Sequence, residues 1–148
     1  MPLLFNGPLR TARNSVVITV VGGCHHGNGS DHFCGQTADI VIATRSSSTF
    51  RRGDQSTLKN VNADGLEYAA CVSAAGLELF FTRIPMGDRS PGIYRSSRPN
   101  TWSAFSIAQR VTAATGFVEG PTLSPDEKQL YYHRKDGTRH VIYCVTRK

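Results

Sequence analysis

An internal repeat with an offset of 51 residues constrains the fold of this chain more than any other feature of the sequence. The segment "CVSAAGLELFFTR" (residues 71–83) aligns without gaps with "TLSPDEKQLYYHR" (residues 122–134), so that Leu79 meets Leu130. A degenerate copy is visible further upstream in "NGPLRTARNSVVIT" (residues 6–19). Repeats of about 20–50 residues are typical of propellers and solenoids, in which each unit buries its apolar face against the next.

The copies share one order of strand-like segments. Each has a short strand, a tight turn, a strong strand, a loop and a third strand that ends in arginine, at Arg45, Arg98 or Arg147. A weaker fourth segment follows two of these arginines, "TFRRGDQSTLKNV" and "TWSAFSIAQRV". Helix signals are nearly absent, and four antiparallel strands in about 50 residues are the pattern of a propeller blade. We therefore predict an all-β fold, a partial β-propeller of about three blades of four-stranded antiparallel sheet with the last blade incomplete.

The middle strand of each blade is expected to be buried on both faces. A blade packs against a neighbour on each side, so its middle strand loses the strict alternation of apolar and polar residues. The runs Leu79-Phe80-Phe81 and Leu130-Tyr131-Tyr132 fit this pattern, and Gly76 and Ser124-Pro125-Asp126 supply the turns before them. Leu79 and Leu130 are thus predicted in separate, stacked sheets. Within this single segment the blades are predicted at about residues 1–62, 63–115 and 116–148.

The motif Ser-Pro-Asp-x-x-x-Leu-Tyr-Tyr, followed by Ile-Tyr-x-x-x-Arg, resembles the WD40-like β-propeller repeat of TolB-type proteins. The similarity runs from about Asp39 to Arg147. The chain departs from the pattern where Ala74-Ala75 replaces the usual Pro-Asp and where Glu127 stands at a position often occupied by glycine. The resemblance implies a propeller fold and favours an extracytoplasmic location, periplasmic or secreted. It implies no particular chemistry, because such repeats occur in scaffolds, ligand binders and enzymes.

Three units are fewer than the four to eight blades of a typical closed propeller. We therefore expect a fragment of a longer propeller protein or a truncated gene product, with self-association of copies through the open blade faces and a degraded relic of a propeller as the alternatives. The run "SVVITVVGGC" after Arg10 and Arg13 has the pattern of a short signal segment, but the repeat accounts for it as a strand.

Composition argues against two classes of partner. The net charge is +6, but the arginines are scattered and Arg51-Arg52 is their only adjacent pair, which indicates a solvated surface and no nucleic-acid site. No apolar run approaches the ~20 residues that a membrane helix needs, so no membrane span is predicted.

The largest break in the repeat is "GGCHHGNGSDHFCGQ", residues 22–36. Its histidines, His25, His26 and His32, are candidate metal ligands, with Cys24, Asp31 and Cys34 nearby. The spacing matches no zinc signature, so no cofactor is predicted. A polar loop and a Cys24–Cys34 disulfide remain as alternatives.

A second break is the hairpin in "YYHRKDGTRHVIY". Asp136-Gly137 is a strong two-residue turn signal, and a turn there sets Arg134 opposite Arg139 and His133 opposite His140. Like charges that face each other either splay into water or bind an anion between them. These four side chains are therefore a candidate site for a small anion or carboxylate.

Two glutamates, Glu67 and Glu119, are predicted to precede first strands and to lie near a central channel. A carboxylate pair there is a candidate binding site and, at a suitable separation, could catalyse glycoside hydrolysis. Their near-equivalence in the repeat favours a structural role instead. Arginines that recur between copies are expected to bind backbone carbonyls or acidic side chains between blades, namely Arg45, Arg83, Arg98, Arg134 and Arg147.

The sequence contains no Gly-x-Ser-x-Gly elbow, phosphate loop or dinucleotide fingerprint. The function predicted is therefore a non-catalytic propeller module that binds a protein, peptide or glycan. The alternatives are the propeller portion of a carbohydrate-active enzyme or a peptidase, and a metal-binding propeller that uses the histidine-rich loop.

Overall fold

The structure, a computed structural model, describes residues 15–21, 38–63 and 65–147. Ten strands and a one-turn 3₁₀ helix, Gln55–Leu58, form its regular elements. The strands are β1 (Ser15–Val21), β2 (Ala38–Ser46), β3 (Thr49–Arg52), β4 (Gly65–Val72), β5 (Glu78–Pro85), β6 (Gly92–Ser97), β7 (Gln109–Arg110), β8 (Val118–Leu123), β9 (Gln129–Asp136) and β10 (Arg139–Thr146). The predicted all-β class is confirmed.

The strands fall into three antiparallel groups. We call them the first group (β1–β3, with the 3₁₀ helix and the residues after it to 63), the second group (β4–β7, with the residues after them to 117) and the third group (β8–β10). The strands of the first and second groups form one seven-stranded sheet, in which the pairing between the two groups, within the described residues, is the single parallel pair of Ala38 and Leu66. The third group is a separate three-stranded sheet in the order β10-β9-β8. Neither sheet closes on itself within the described part of the chain, so a three-bladed propeller remains a prediction.

The middle strand of the second group, β5, is buried on both faces as expected. Leu79 and Phe81 lie on one face in a core cluster with Ile40 and Leu58 of the first group. Phe80 lies on the other face, in a cluster filled mainly by the third group. Each such side chain removed from water contributes roughly 1.5–3 kcal/mol, so β5 is held by neighbours on both sides.

The middle strand of the third group, β9, is buried on one face only. Leu130 and Tyr132 pack toward the second group, while Tyr131 between them is 38% exposed. The expectation of two-sided burial is therefore wrong for β9, because no described element packs on its other side. Leu79 and Leu130 do lie in separate sheets, as predicted.

The same β-bulge occurs in the second and third groups at positions 51 residues apart. The pairing shifts between Tyr68 and Cys71 in β4 and between Glu119 and Thr122 in β8. Within each bulge one residue has a positive φ, 49° at position 69 and 66° at position 120. A bulge inserts an extra residue and bends the strand, so the first strands of both groups bend at equivalent places.

The tight turns before β5 and β9 also share their hydrogen bonds. The hydroxyl of Ser73 accepts from the amide of Glu78 at 3.0 Å, and the hydroxyl of Ser124 accepts from that of Gln129 at 2.9 Å. The fourth turn position has a positive φ in each, 73° at position 76 and 58° at Glu127. The predicted turn at Ser124-Pro125-Asp126 is thus confirmed, with Glu127 in a conformation that glycine adopts more easily.

The fourth segments are mostly not strands. In the segment after Arg98 the paired strand is limited to the two residues of β7, because Asn100 begins a turn in which its side chain accepts from the amide of Ser103 at 2.9 Å. The irregular stretch still completes the core, since Phe105 is fully buried beneath the guanidinium of Arg98, 4.4 Å from the ring centroid. After Arg45 the short strand β3 gives way to the 3₁₀ helix, which Asp54 caps.

The third group is tied to the second by polar contacts as well as by the core. The free edge of β8 donates backbone amides to side chains of the neighbouring sheet: Gly120 to the hydroxyl of Thr82 at 3.0 Å, and Leu123 to the sulfur of Cys71 at 3.5 Å. An edge strand with its amides occupied is poorly available to other chains. Across the described ranges, no helix has the length and apolar character that crossing a membrane requires.

Candidate functional site

The exposed side of the third group, which we call the outer face, presents Tyr131, His133, Ile142 and Cys144. Tyr131 pairs with Cys144 and His133 with Ile142 across β9 and β10. Successive side chains alternate between the two sides of a strand, and the neighbouring pairs of this hairpin pack into the core. The four side chains therefore point away from the second group. Ile142 is 67% exposed.

The outer face has a covered counterpart in the second group. Tyr131 aligns with Phe80 in the repeat, and Ile142 aligns with Ile93. Phe80 is 4% exposed and Ile93 is fully buried, because the third group packs over both. Equivalent positions are thus covered by a sheet in one group and open in the next.

The register of the β9–β10 hairpin differs from the prediction. The loop is Gly137-Thr138, so Arg139 pairs with Asp136 and Arg134 with Val141. Gly137 has a φ of 61°, which suits the first central position of a type II′ turn. The predicted facing of Arg134 with Arg139 and of His133 with His140 is therefore wrong. His133 and His140 instead lie diagonally across the hairpin on its outer side, and the residue that pairs with His140 is Lys135.

Arg134 is bound within its own sheet. Its Nε donates to Asp136 Oδ1 at 2.8 Å, and its guanidinium lies 3.6 Å from the ring centroid of Tyr143. The Tyr143 hydroxyl donates to the other oxygen of Asp136 at 2.5 Å. The hydrogen bond from Arg134 holds the pKa of Asp136 below its usual range. The charge of Arg134 is thus already compensated, which removes the clash that motivated an anion site.

Glu67 is a buried carboxylate in β4. It is fully buried and accepts from Arg83 Nε at 2.7 Å, while Arg83 also donates to the carbonyl of Val61. Among the described residues, no donor meets Glu67 Oε2. Burial raises the pKa of Glu67, and Arg83 opposes that rise in part. The pair fastens β4 and β5 to the end of the first group.

Glu119 lies on the other side of β4 from Glu67. It accepts a hydrogen bond from the hydroxyl of Tyr68, whose pKa is raised by burial and by this bond. Tyr68 follows Glu67 in the same strand, so the two side chains point to opposite faces. Both glutamates lie within strands and do not precede them. The strand between them means that they do not form the carboxylate pair that glycoside hydrolysis requires.

The recurring arginines bind carbonyls or acidic groups, as expected. Arg83 and Arg147 do so between groups, and Arg147 donates to Glu78 at 2.8 Å across the two sheets. The others bind locally: Arg45 to the carbonyl of Ser47, Arg98 to that of Gly76, and Arg134 to Asp136. Contacts between groups were expected for all five arginines, but Arg83 and Arg147 make them and the other three bind locally.

The predicted metal ligands His25, His26 and His32 lie outside the described residues, as do Asp31, Cys24 and Cys34. Within the described ranges, no group of three or more His, Cys, Asp or Glu side chains could hold a metal ion. Cys71 and Cys144 are free thiols.

Two features that bear on function were not identified from the sequence. The first is which residues form the exposed apolar face, Tyr131 and Ile142, although open blade faces were expected. The other is Glu78, which binds Arg95 and Arg147 together. Its signal is a break in the repeat, because Gln129 stands at the equivalent position.

A scan against protein-family models gave no match, and a search of curated proteins gave none either. The functional argument therefore rests on the geometry of the chain itself.

Proposed function

We propose that this chain is a non-catalytic module of β-propeller type that binds protein through the outer face, and that its partner there is a β-sheet of a second copy. The observation that carries the proposal is the contrast between two equivalent surfaces. Tyr131 and Ile142 are 38% and 67% exposed, whereas Phe80 and Ile93 are 4% and 0% exposed beneath the next sheet.

The propeller assignment is supported by the order in which the groups pack. Side chains of β5 contact the first group on one face and the third group on the other. The bulge and the turn recur at the same offset in the second and third groups. Sheets that stack face to face in chain order, each with the same internal irregularities, are typical of repeated blades.

A second copy is favoured as the partner because it carries the same exposed apolar sheet surface, and two outer faces can cover each other. The third group buries Phe80 and Ile93 with aliphatic and aromatic side chains of a sheet. Exposed apolar sheet faces tend to associate, and their burial is the main driving force of association.

The proposal is tested by light scattering and by alkylation of Cys144. The wild type is expected to gain mass with increasing concentration, and Cys144, identified by peptide mapping, should be alkylated more slowly as it does so. Ile142→Lys places a charge in the outer face and should keep the chain monomeric. Ile107→Lys is the matched control, because Ile107 is 76% exposed but lies outside the outer face.

The proposal is wrong if the wild type stays monomeric over the series and Cys144 reacts at one constant rate. It is also wrong if Ile107→Lys abolishes association as fully as Ile142→Lys, since association would then not depend on the outer face.

A further inference from the structure

A cleft of about 350 Å³ opens between the second and third groups, near the start of β5 and the end of β10. Its walls are mainly apolar and belong to both groups: Phe80, Val111, Leu123, Leu130 and Val145. The volume lies near the lower end of the range of about 300–1,000 Å³ for small-ligand sites. The cleft is thus large enough for one compact apolar group, and it is separate from the outer face.

The rim of the cleft carries excess positive charge. Glu78 binds two cations at once, Arg95 Nη2 at 2.5 Å through Oε1 and Arg147 Nη2 at 2.8 Å through Oε2. Both arginine side chains are about half exposed, at 48% and 47%. A guanidinium has five N–H donors, so both arginines keep donors that Glu78 does not use. Lys128 adds a further cation to the rim.

The acidic groups near the rim are already engaged. Both oxygens of Glu78 accept from arginine, and the carboxylate of Glu127 accepts from the backbone amide of Ala74 in the second group. Glu78 and Arg95 are also not required by the repeat, because Gln129 and Cys144 replace them in the next copy. The rim therefore has three cations, Arg95, Lys128 and Arg147, against two carboxylates, and its net positive charge favours the binding of one more anion.

We infer that this cleft binds a carboxylate attached to a compact apolar group, with the carboxyl-terminal leucine, isoleucine, valine or phenylalanine of a peptide as its occupant. The apolar side chain would lie between the sheets, and the carboxylate would accept from Arg95 and Arg147. Charge-assisted hydrogen bonds from arginine to a carboxylate are among the strongest in proteins. Capture of a terminal carboxylate is also a recurring mode of peptide recognition.

The probes are acetyl-Gly-Gly-Leu with a free carboxylate, the same peptide with a carboxamide terminus, and acetyl-Gly-Gly-Gly, titrated into the full chain by NMR or calorimetry. The free acid should bind about tenfold more tightly than the amide, because the amide lacks the charge. It should also bind more tightly than the glycine peptide, which leaves the cleft empty. N-acetyl-leucine separates the two sources of this chemistry: comparable affinity would assign a free apolar acid in place of a peptide terminus and overturn the peptide part.

Three variants test the location. Arg95→Gln and Arg147→Gln should each weaken binding of the acid about tenfold and leave the amide unchanged. Ala113→Trp, at an exposed position on the cleft wall, should block both acid and amide. Arg89→Gln is the matched control, because it removes one arginine from the exposed loop at the opposite end of β5 and β6.

The inference is wrong if acid and amide bind equally, if neither binds, or if Arg89→Gln weakens binding as much as Arg147→Gln. Each variant is first checked for a wild-type circular dichroism spectrum, and the peptide series alone decides the question should one of them misfold. Self-association through the outer face is measured by mass and is unaffected by any of these outcomes.

Discussion

The strands β5 and β9 occupy equivalent positions in the repeat but differ in their surroundings. Each carries a bulky apolar run, and each follows a turn closed by the same serine hydrogen bonds. Phe80 is covered by a neighbouring sheet, while Tyr131 lies on the outer face. The comparison shows that the apolar run prepares a strand for burial on both faces, and that the presence of a neighbour decides whether burial follows.

The largest expected effect comes from truncating the two equivalent aromatic side chains. Phe80→Ala should lower the free energy of unfolding by about 3–5 kcal/mol, because it leaves a cavity between the two sheets. Tyr131→Ala should cost below about 1 kcal/mol in the monomer, since the side chain is partly in water. Urea denaturation at low protein concentration measures both. Equal losses would show that β5 and β9 have the same surroundings and would break the comparison.

The next effect concerns the buried ion pair that fastens β4 and β5 to the first group. Glu67→Ala should cost about 3 kcal/mol, because Arg83, whose side chain is only 13% exposed, is left without its anion. Asp136→Ala is the control in the third group, where the partner Arg134 lies nearer to water, and its loss should be clearly smaller. A larger loss of unfolding free energy from Asp136→Ala than from Glu67→Ala would mean that the exposed contacts of Asp136 contribute more to stability than the buried ion pair.

A smaller effect distinguishes two glutamates by the sign of their pH dependence. Burial raises the pKa of Glu67, so the part of the stability that is linked to this shift is present below the unfolded value of 4.5 and is lost as the pH rises through the folded pKa. Burial also acts to raise the pKa of Glu78, but hydrogen bonds from Arg147 and Arg95 outweigh it and lower that pKa. The contribution of Glu78 is therefore present above 4.5 and is lost as the pH falls through the folded pKa.

The pH dependence is measured by comparing Glu67→Gln and Glu78→Gln with the wild type in urea at a series of pH values. The loss caused by Glu78→Gln should be about 1 kcal/mol near neutral pH and should vanish in acid. The difference in unfolding free energy between the wild type and Glu67→Gln should shift in the opposite direction with pH, in favour of the wild type as the pH falls. Parallel profiles for the two variants would contradict the assigned environments.

The smallest effect compares one bulge position in the two groups. Ala69 has a φ of 49°, whereas its equivalent in the third group is a glycine with a φ of 66°. Ala69→Gly should stabilise the protein by up to about 1 kcal/mol, because glycine avoids the steric cost of this conformation. Gly120→Ala should destabilise it, because a Cβ at this positive φ introduces the same steric cost. Thermal melts of both variants check the expected opposite signs.

The strand order and the turns could be predicted from the sequence because they depend on local patterns. The bulky run at Leu79 and the serine turn at Ser124 each determine their own segment. The register of the β9–β10 hairpin could not be predicted from the sequence, since Asp136-Gly137 and Gly137-Thr138 can both form two-residue loops. The arrangement observed is the one that places Tyr132 and Tyr143 together on the buried side.

The candidate sites were harder to predict because they depend on distant parts of the chain. Nothing local to Glu67 indicates that it is fully buried, since its environment is made by Arg83 and Val61. The segment after Arg98 was predicted as a weaker fourth strand, but the side chain of Asn100 accepts a hydrogen bond from the backbone and forms a turn.

The hydrogen bond from the Leu123 amide to the sulfur of Cys71 makes this thiol a reporter of the contact between the two sheets. The sulfur lies where the two sheets meet and is partly buried, and burial raises its pKa, so thiol reagents should react with it faster when the sheets part. The rate at which Cys71 is modified should therefore report how often the two sheets separate. The same separation exposes the edge of β8, which can then pair with other chains. Modification of Cys71 should therefore accompany the opening that makes the chain prone to aggregate.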